Sequence, residues 1–259
     1  MTEQTTSSAR ATSAPVRRDH PGVVVIEHEP GCPLDRFTGW LDGLTVEVVR
    51  PYAGDPVPGS VNGGLIVLGG QMSAYDDGVA PWLPAVRDLL AVSVSERVPT
   101  LAICLGAQLL AVACGGTVEV GAAPGRESGV VDVSWLPAAM TDPLVAGLPD
   151  PAAGPSMHAD AVAELPAGAV LLGSSTMYPH QAFRVGELAW GVQFHPEVSA
   201  ATFRSWAEVH PDVDTDPVVA EMVARQDDVT ATGRWLARRF SSLVAQAVGP
   251  GDQSLAVGT

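Results

Sequence analysis

The chain has 259 residues, 46% of them hydrophobic and only 5% aromatic, enough for a full core, and we read it as one large domain. Its formal net charge is −15 and all 14 basic residues are arginine, which argues against nucleic acid held through phosphates. Without lysine, neither a Walker A loop nor a pyridoxal phosphate Schiff base is encoded, and no G-x-G-x-x-G follows a strand.

Residues 1–20 are rich in Thr, Ser, Ala and Arg, lack an apolar stripe and are expected to be a disordered tail. After Arg17-Arg18 only Val23-Val24-Val25-Ile26 follows before Glu27, too short for an export signal, and no run is long enough for a bilayer. A cytoplasmic location without membrane contact is therefore expected. Val23 to Glu27 reads as a buried strand, Pro33 to Leu41 as a short helix and Thr45 to Val49 as a second strand. Between the first two, His28-Glu-Pro-Gly-Cys32 reads as a solvated loop, since a metal site needs more ligands. Cys32, Cys104 and Cys114 have neither the number nor the spacing of a disulfide framework or a zinc site, and neither metal nor cofactor is expected.

Gly64 to Leu68 reads as a third buried strand running into Gly69-Gly70, a pair that lets a backbone N–H face a pocket unobstructed. A helix from about Trp82 to Glu96 follows. Leu101-Ala102-Ile103 is then too short for a helix, and Leu105 to Ala113 is a helix-forming run stopped by Gly115-Gly116. Cys104 sits on the corner between them, at a helix N-terminus that favours the reactive thiolate. Gly106 is expected to keep a blocking side chain off that corner, as in a nucleophile elbow.

Further on, Gly125-Arg-Glu127 opens an alternating strand to Trp135, with Glu127 either a solvated carboxylate or a substrate contact. Thr141-Asp-Pro-Leu144 is expected to start a helical turn. Gln181 to Val185 and Glu187 to Phe194 read as paired strands, the second delivering His195-Pro-Glu197. A cysteine nucleophile needs a base and a group to orient it, and His195 with Glu197 supplies both from one loop. His180 is a rival base without a nearby acid. Residues 211–248 carry apolar positions at helical spacing, as in Trp235-Leu236, Phe240 and Leu243, and read as a helical extension on the domain or on a partner; 249–259 read as a second tail.

The segments Ile103-Cys-Leu-Gly-Ala-Gln108 and Gly191-Val-Gln-Phe-His-Pro-Glu197 together resemble the class I, triad-type glutamine amidotransferases, specifically the glutaminase domain of GMP synthase and its stand-alone relatives. The likeness runs from about Val23 to Trp206, in a domain placed at 21–210. It implies an α/β fold with a doubly wound, mostly parallel, flavodoxin-like sheet and helices on both faces. It also implies Cys104 as nucleophile, His195 as base and Glu197 as its orienting acid, with Gly70 and Leu105 N–H groups as the oxyanion hole. Gly69, Gln108, His158 and Asp160 fall at positions that meet the substrate, and Glu127 at an acidic position common in the stand-alone relatives. Two departures stand out: Met157 replaces a polar residue before His158, and Ala102 replaces a glycine.

The expected reaction is hydrolysis of the side-chain amide of glutamine through a cysteinyl thioester. Ammonia would pass to an acceptor, on a synthetase partner chain if the acceptor site uses ATP. A γ-glutamyl hydrolase acting on γ-glutamyl compounds with the same triad is the alternative, and a silent binding or redox-sensing module a third reading that the intact Cys, His and Glu set disfavours.

Overall fold

The computed structural model describes residues 22–248, so both expected tails lie outside the described residues. The short apolar runs become strands and the longer mixed ones helices. In chain order these are β1 (Gly22–Ile26), β2 (Thr45–Val49), β3 (Gly64–Val67), α1 (Leu83–Ser95), β4 (Thr100–Ile103), α2 (Leu105–Ala113), β5 (Thr117–Glu119), β6 (Glu127–Trp135), β7 (Ala152–His158), β8 (Ala161–Glu164), β9 (Val170–Ser174), β10 (Ala182–Val185), β11 (Ala189–Val192), α3 (Ala200–Val209), α4 (Thr215–Ala224) and α5 (Gln226–Val248).

Nine strands form one sheet in the order β2-β1-β3-β4-β11-β10-β9-β6-β7, while β5 and β8 pair separately. From β2 to β11 every neighbouring pair is parallel. Beyond β11 the pairs are antiparallel. The change follows from connection length. The link from β3 to β4 carries α1, long enough for a parallel crossover, whereas residues 186–188 between β10 and β11 only allow a hairpin.

Alternation along the central strands divides the apolar side chains between two faces. Leu65, Val67 and Ala102 pack with Leu83, Val86 and Leu90 of α1 and Leu109 of α2. Ile66, Leu101 and Ile103 pack on the opposite side with Leu236, Phe240 and Val244 of α5. The helices therefore cover both faces of a doubly wound sheet, and α5 is a wall of the main core. No helix among the described residues is long and apolar enough to cross a membrane.

Local expectations differ from the structure in a few places. The expected helix at Pro33 to Leu41 is a 3-10 turn over Asp35–Gly39. The 3-10 turn near Thr141 covers Pro137–Thr141 and stops where a turn was expected to begin. The side chain of Asp142 then accepts from Leu144 N at 2.9 Å and from Trp190 Nε1 at 2.9 Å, so this acid ties a turn to the sheet instead of capping a helix. The loop expected to be solvated is buried at both its histidine and its cysteine. Trp82 Nε1 donates to His28 Nδ1 at 3.1 Å, and burial lowers the His28 pKa to about 4, which keeps the ring neutral.

Candidate active site

Cys104 stands where β4 ends and α2 begins. Its N–H still belongs to the sheet, donating to Val192 O at 2.8 Å, while its carbonyl accepts from Gln108 N at 3.0 Å and opens the helix. One residue cannot serve both directions with relaxed torsions, and Cys104 has φ 51° and ψ −108°, outside the helical and extended regions. The corner is thus a strained elbow. Gly106 permits it for a reason other than the one expected: a Cβ there would lie 2.2 Å from Val67 O, so the glycine lets α2 close onto β3 instead of clearing a path for substrate.

His195 and Glu197 come from the loop after β11, which ends at Val192, short of the histidine. Hydrogen bonds hold this loop to other elements: His195 N donates to Pro155 O at 2.7 Å and Arg36 N donates to Glu197 O at 3.1 Å. Within it, His195 Nδ1 lies 2.7 Å from Glu197 Oε1, both side chains almost wholly buried. The other side of the ring is within hydrogen-bonding reach of Cys104. Burial by itself lowers the pKa of His195, but the charges of Glu197 and Cys104 and their hydrogen bonds outweigh it and raise it to about 10. The imidazole is thus held as a cation between the Glu197 carboxyl group and the Cys104 sulfur. Trp206 packs on it with ring centroids 4.5 Å apart and is itself anchored by Nε1 donating to Gly31 O at 2.7 Å.

Gly69 lies behind this pair. A Cβ there would sit 2.7 Å from His195 Cε1 and 3.5 Å from Cys104 Cβ, so any side chain would push between sulfur and imidazole. The Leu105 N–H belongs to the first turn of α2 and has no intrahelical acceptor, and the Gly70 N–H donates to no acceptor among the described residues.

A cavity of about 170 Å³ opens on this arrangement, lined by Gly70, Cys104, Gln108, His158, Asp160 and His195 together with Cys32, Gln71, Met72, Arg126, Met157, Ala159, Trp206 and His210. No group of three or more His, Cys, Asp and Glu among the described residues is placed to hold a metal.

These features match a known group of proteins. A model of the family "Glutamine amidotransferase class-I" matches residues 42–206, well over half of the chain. The chain belongs to the class-I glutamine amidotransferase family. It is 34% identical over 142 residues to the GMP synthase [glutamine-hydrolyzing] of Streptococcus pneumoniae, covering 54% of this chain and 25% of that enzyme. The chain thus spans about a quarter of the length of the curated relatives it matches. A glutamine amidotransferase from Thermotoga maritima superposes with a TM-score of 0.75 at 25% identity, covering 86% of this chain and 99% of the other. One from Methylobacillus flagellatus superposes with a TM-score of 0.74 at 28% identity, covering 86% and 94%.

Three of this amidotransferase's expected substrate contacts, Gln108, His158 and Asp160, are tied into its own frame. Gln108 Nε2 donates to Asp160 O at 2.9 Å, and Asp160 Oδ1 accepts from Gly121 N at 2.9 Å. His158 places Nδ1 2.9 Å from Asp160 O and Nε2 3.0 Å from Glu127 Oε2. Glu127 is neither solvated nor on the cavity wall. It is buried, accepting from Ser175 Oγ at 2.5 Å and Gln181 Nε2 at 2.5 Å; burial works against its charge, yet the bonds from His158, Ser175 and Gln181 hold it below the usual carboxylate range. His180 is remote from the site's chemistry, its Nδ1 2.8 Å from Val162 O.

Several residues at the site carry no sequence signal of their own. Gln193, inside the motif that ends in Glu197, places Nε2 3.5 Å from Cys104 Sγ. Cys32 and Trp206 reach the cavity from distant segments, and only the fold brings them there.

Proposed function

We propose that this amidotransferase hydrolyses the side-chain amide of glutamine through a thioester on Cys104 and releases ammonia to an acceptor on another chain. The observation that carries the reading is a cysteine on a strained elbow beside an imidazolium held by a buried carboxylate, with two unused N–H groups next to it. The Cys104 sulfur attacks the amide carbonyl carbon. Negative charge develops on oxygen, where Gly70 and Leu105 N–H groups stabilise it by about 3 to 4 kcal/mol each. The His195 imidazolium gives its proton to the nitrogen, the C–N bond breaks and ammonia leaves. Water then attacks the thioester, His195 takes its proton, and glutamate departs as the sulfur is restored.

Glu197 orients His195 and stabilises its cation throughout. A cavity of about 170 Å³, against about 300 to 1,000 Å³ for drug-sized ligands, suits one amino acid better than a γ-glutamyl peptide. The acceptor lies outside the matched region, since that region covers only a quarter of the GMP synthase relative. The test offers the purified chain glutamine and a panel of γ-glutamyl compounds and follows glutamate and ammonia. Equimolar release from glutamine supports the reading. Preference for a γ-glutamyl peptide would make the chain a γ-glutamyl hydrolase instead.

A further inference from the structure

One of the two N–H groups in the steps above sits on a pair of glycines, and nothing in Gly69 or Gly70 themselves fixes how their peptide planes tilt. Each lacks the Cβ that restricts φ and ψ, so either plane is free to rotate unless something outside the pair holds it. Leu68 N still donates to Ile26 O at 3.0 Å, but neither Gly69 N nor Gly70 N has an acceptor among the described residues. The loop gains its next hydrogen bond at Gln71, and there the acceptor is a carboxylate from another segment. Gln71 N donates to Glu29 Oε1 at 2.8 Å.

Glu29 follows β1, which pairs in parallel with β3, so the two strands deliver their loops side by side at one end of the sheet. The segment after β1 is itself held from several directions. Trp82 Nε1 donates to His28 Nδ1 at 3.1 Å, Cys32 N donates to Glu29 O at 3.2 Å, and Trp206 Nε1 donates to Gly31 O at 2.7 Å. His28 also fills the space behind Gly70, where an added Cβ would come within 3.2 Å of His28 Cβ. On the other side, Cys32 Sγ donates to the same Glu29 oxygen at 3.3 Å. Burial and the neighbouring carboxylate push the Cys32 thiol far up, so the sulfur keeps the proton it donates. One carboxylate oxygen therefore ties a cavity-lining thiol to the loop that carries Gly70. The charge of a carboxylate works against an anion forming nearby, so what Glu29 can contribute is geometry. It precedes the segment 42–206 that the family model matches.

We propose that Glu29 is a positioning residue that holds the Gly70 N–H toward the cavity by anchoring the peptide that follows it, so that this donor is in place before substrate arrives. A donor fixed beforehand has no reorientation to make while charge develops. The assignment rests on the reading that Cys104 attacks an amide whose oxygen meets the Gly70 N–H.

Two measurements on the full chain separate the two claims. Glu29→Ala removes the acceptor, whereas Glu29→Gln keeps an oxygen at the same reach without the charge. Amide hydrogen exchange of the peptide containing residues 69–72, followed by mass spectrometry, reads the loop with no reaction needed, and steady-state glutamate release reads the consequence. The expected result is that Glu29→Ala speeds exchange at 69–72 by about tenfold and leaves peptides from α2 unchanged. Its kcat falls by about 10- to 100-fold, at or below the loss from deleting a donor outright, while KM stays within about threefold because the donor acts in the transition state. Glu29→Gln restores exchange and kcat to within about threefold of wild type. If the alanine variant does not fold, Glu29→Leu repeats the comparison. Unchanged exchange, unchanged kcat, a loss carried by KM, faster exchange throughout the chain, or Glu29→Gln as impaired as Glu29→Ala overturns the assignment. A wild type that releases no glutamate overturns the Cys104 reading alone; faster exchange confined to 69–72 then still supports the hold of Glu29 on the loop, and unchanged exchange overturns it.

Discussion

At the scale of single residues, the site separates three thiols by environment. Cys104 sits beside a cation at a helix start, whereas burial next to the Glu29 carboxylate pushes the Cys32 thiol far up, and burial raises Cys114 as well. Cys104→Ala removes the bond-forming atom and should abolish glutamate release in a steady-state assay. Glu197→Gln keeps the shape but not the charge, and should slow turnover by about 10² to 10⁴, a loss comparable to or smaller than that of an amidated triad acid. Unchanged turnover would leave a Cys–His dyad. The same variant carries a pH signature. The His195 pKa is raised from 6.5 to about 10 on folding, so its ion pairing stabilises the fold fully below pH 6.5 and ceases to as pH rises through about 10. The melting-temperature gap between wild type and Glu197→Gln should therefore narrow over that interval, and a gap that widens with pH would contradict the assignment. The grouping of Cys104, His195 and Glu197 was legible in sequence because Cys104 follows a short apolar strand and His195-Pro-Glu197 is local. Gln193 and Glu29 were not, because a polar side chain's partners are set by strands that only the tertiary fold brings together.

At the scale of elements, the elbow depends on how closely α2 meets β3. Gly106→Ala would place a methyl 2.2 Å from Val67 O, with backbone on both sides and little room to yield. We expect a loss of at least about 1 to 3 kcal/mol in chemical denaturation, together with lost activity, because the strain must move Cys104. The strands flanking the elbow were legible as continuous apolar runs, since strands buried on both faces need no polar alternation. β7 was not: Ala-Ala-Gly-Pro-Ser-Met-His contains the residues that usually end a strand. It is tolerated because β7 closes the sheet, with Pro155 opposite Val130 on the outermost pair, where a missing N–H leaves no neighbour unpaired. Burial of the loop at His28 was hidden for a related reason, as its partner Trp82 lies 54 residues away.

At the scale of the whole molecule, the two faces of the sheet are covered by different parts of the chain, α1 and α2 on one and α5 on the other. The periodicity of 211–248 announced helices without saying what they cover; the fully buried Phe240 now places α5 against the central strands. Phe240→Ala should cost about 3 to 5 kcal/mol of stability by denaturant titration, and a cost near zero would mean that α5 is dispensable to the domain. Both halves converge on one claim, that Cys104 attacks the γ-carbonyl of glutamine. The most direct measurement is covalent capture: incubate the protein with a diazo-ketone analogue of glutamine and locate the adduct by intact mass and peptide mapping. A single adduct on Cys104, blocked by excess glutamine, with Cys32 and Cys114 unmodified, is the predicted result. Labelling spread over the three cysteines, or labelling of Cys104 only after denaturation, would contradict it.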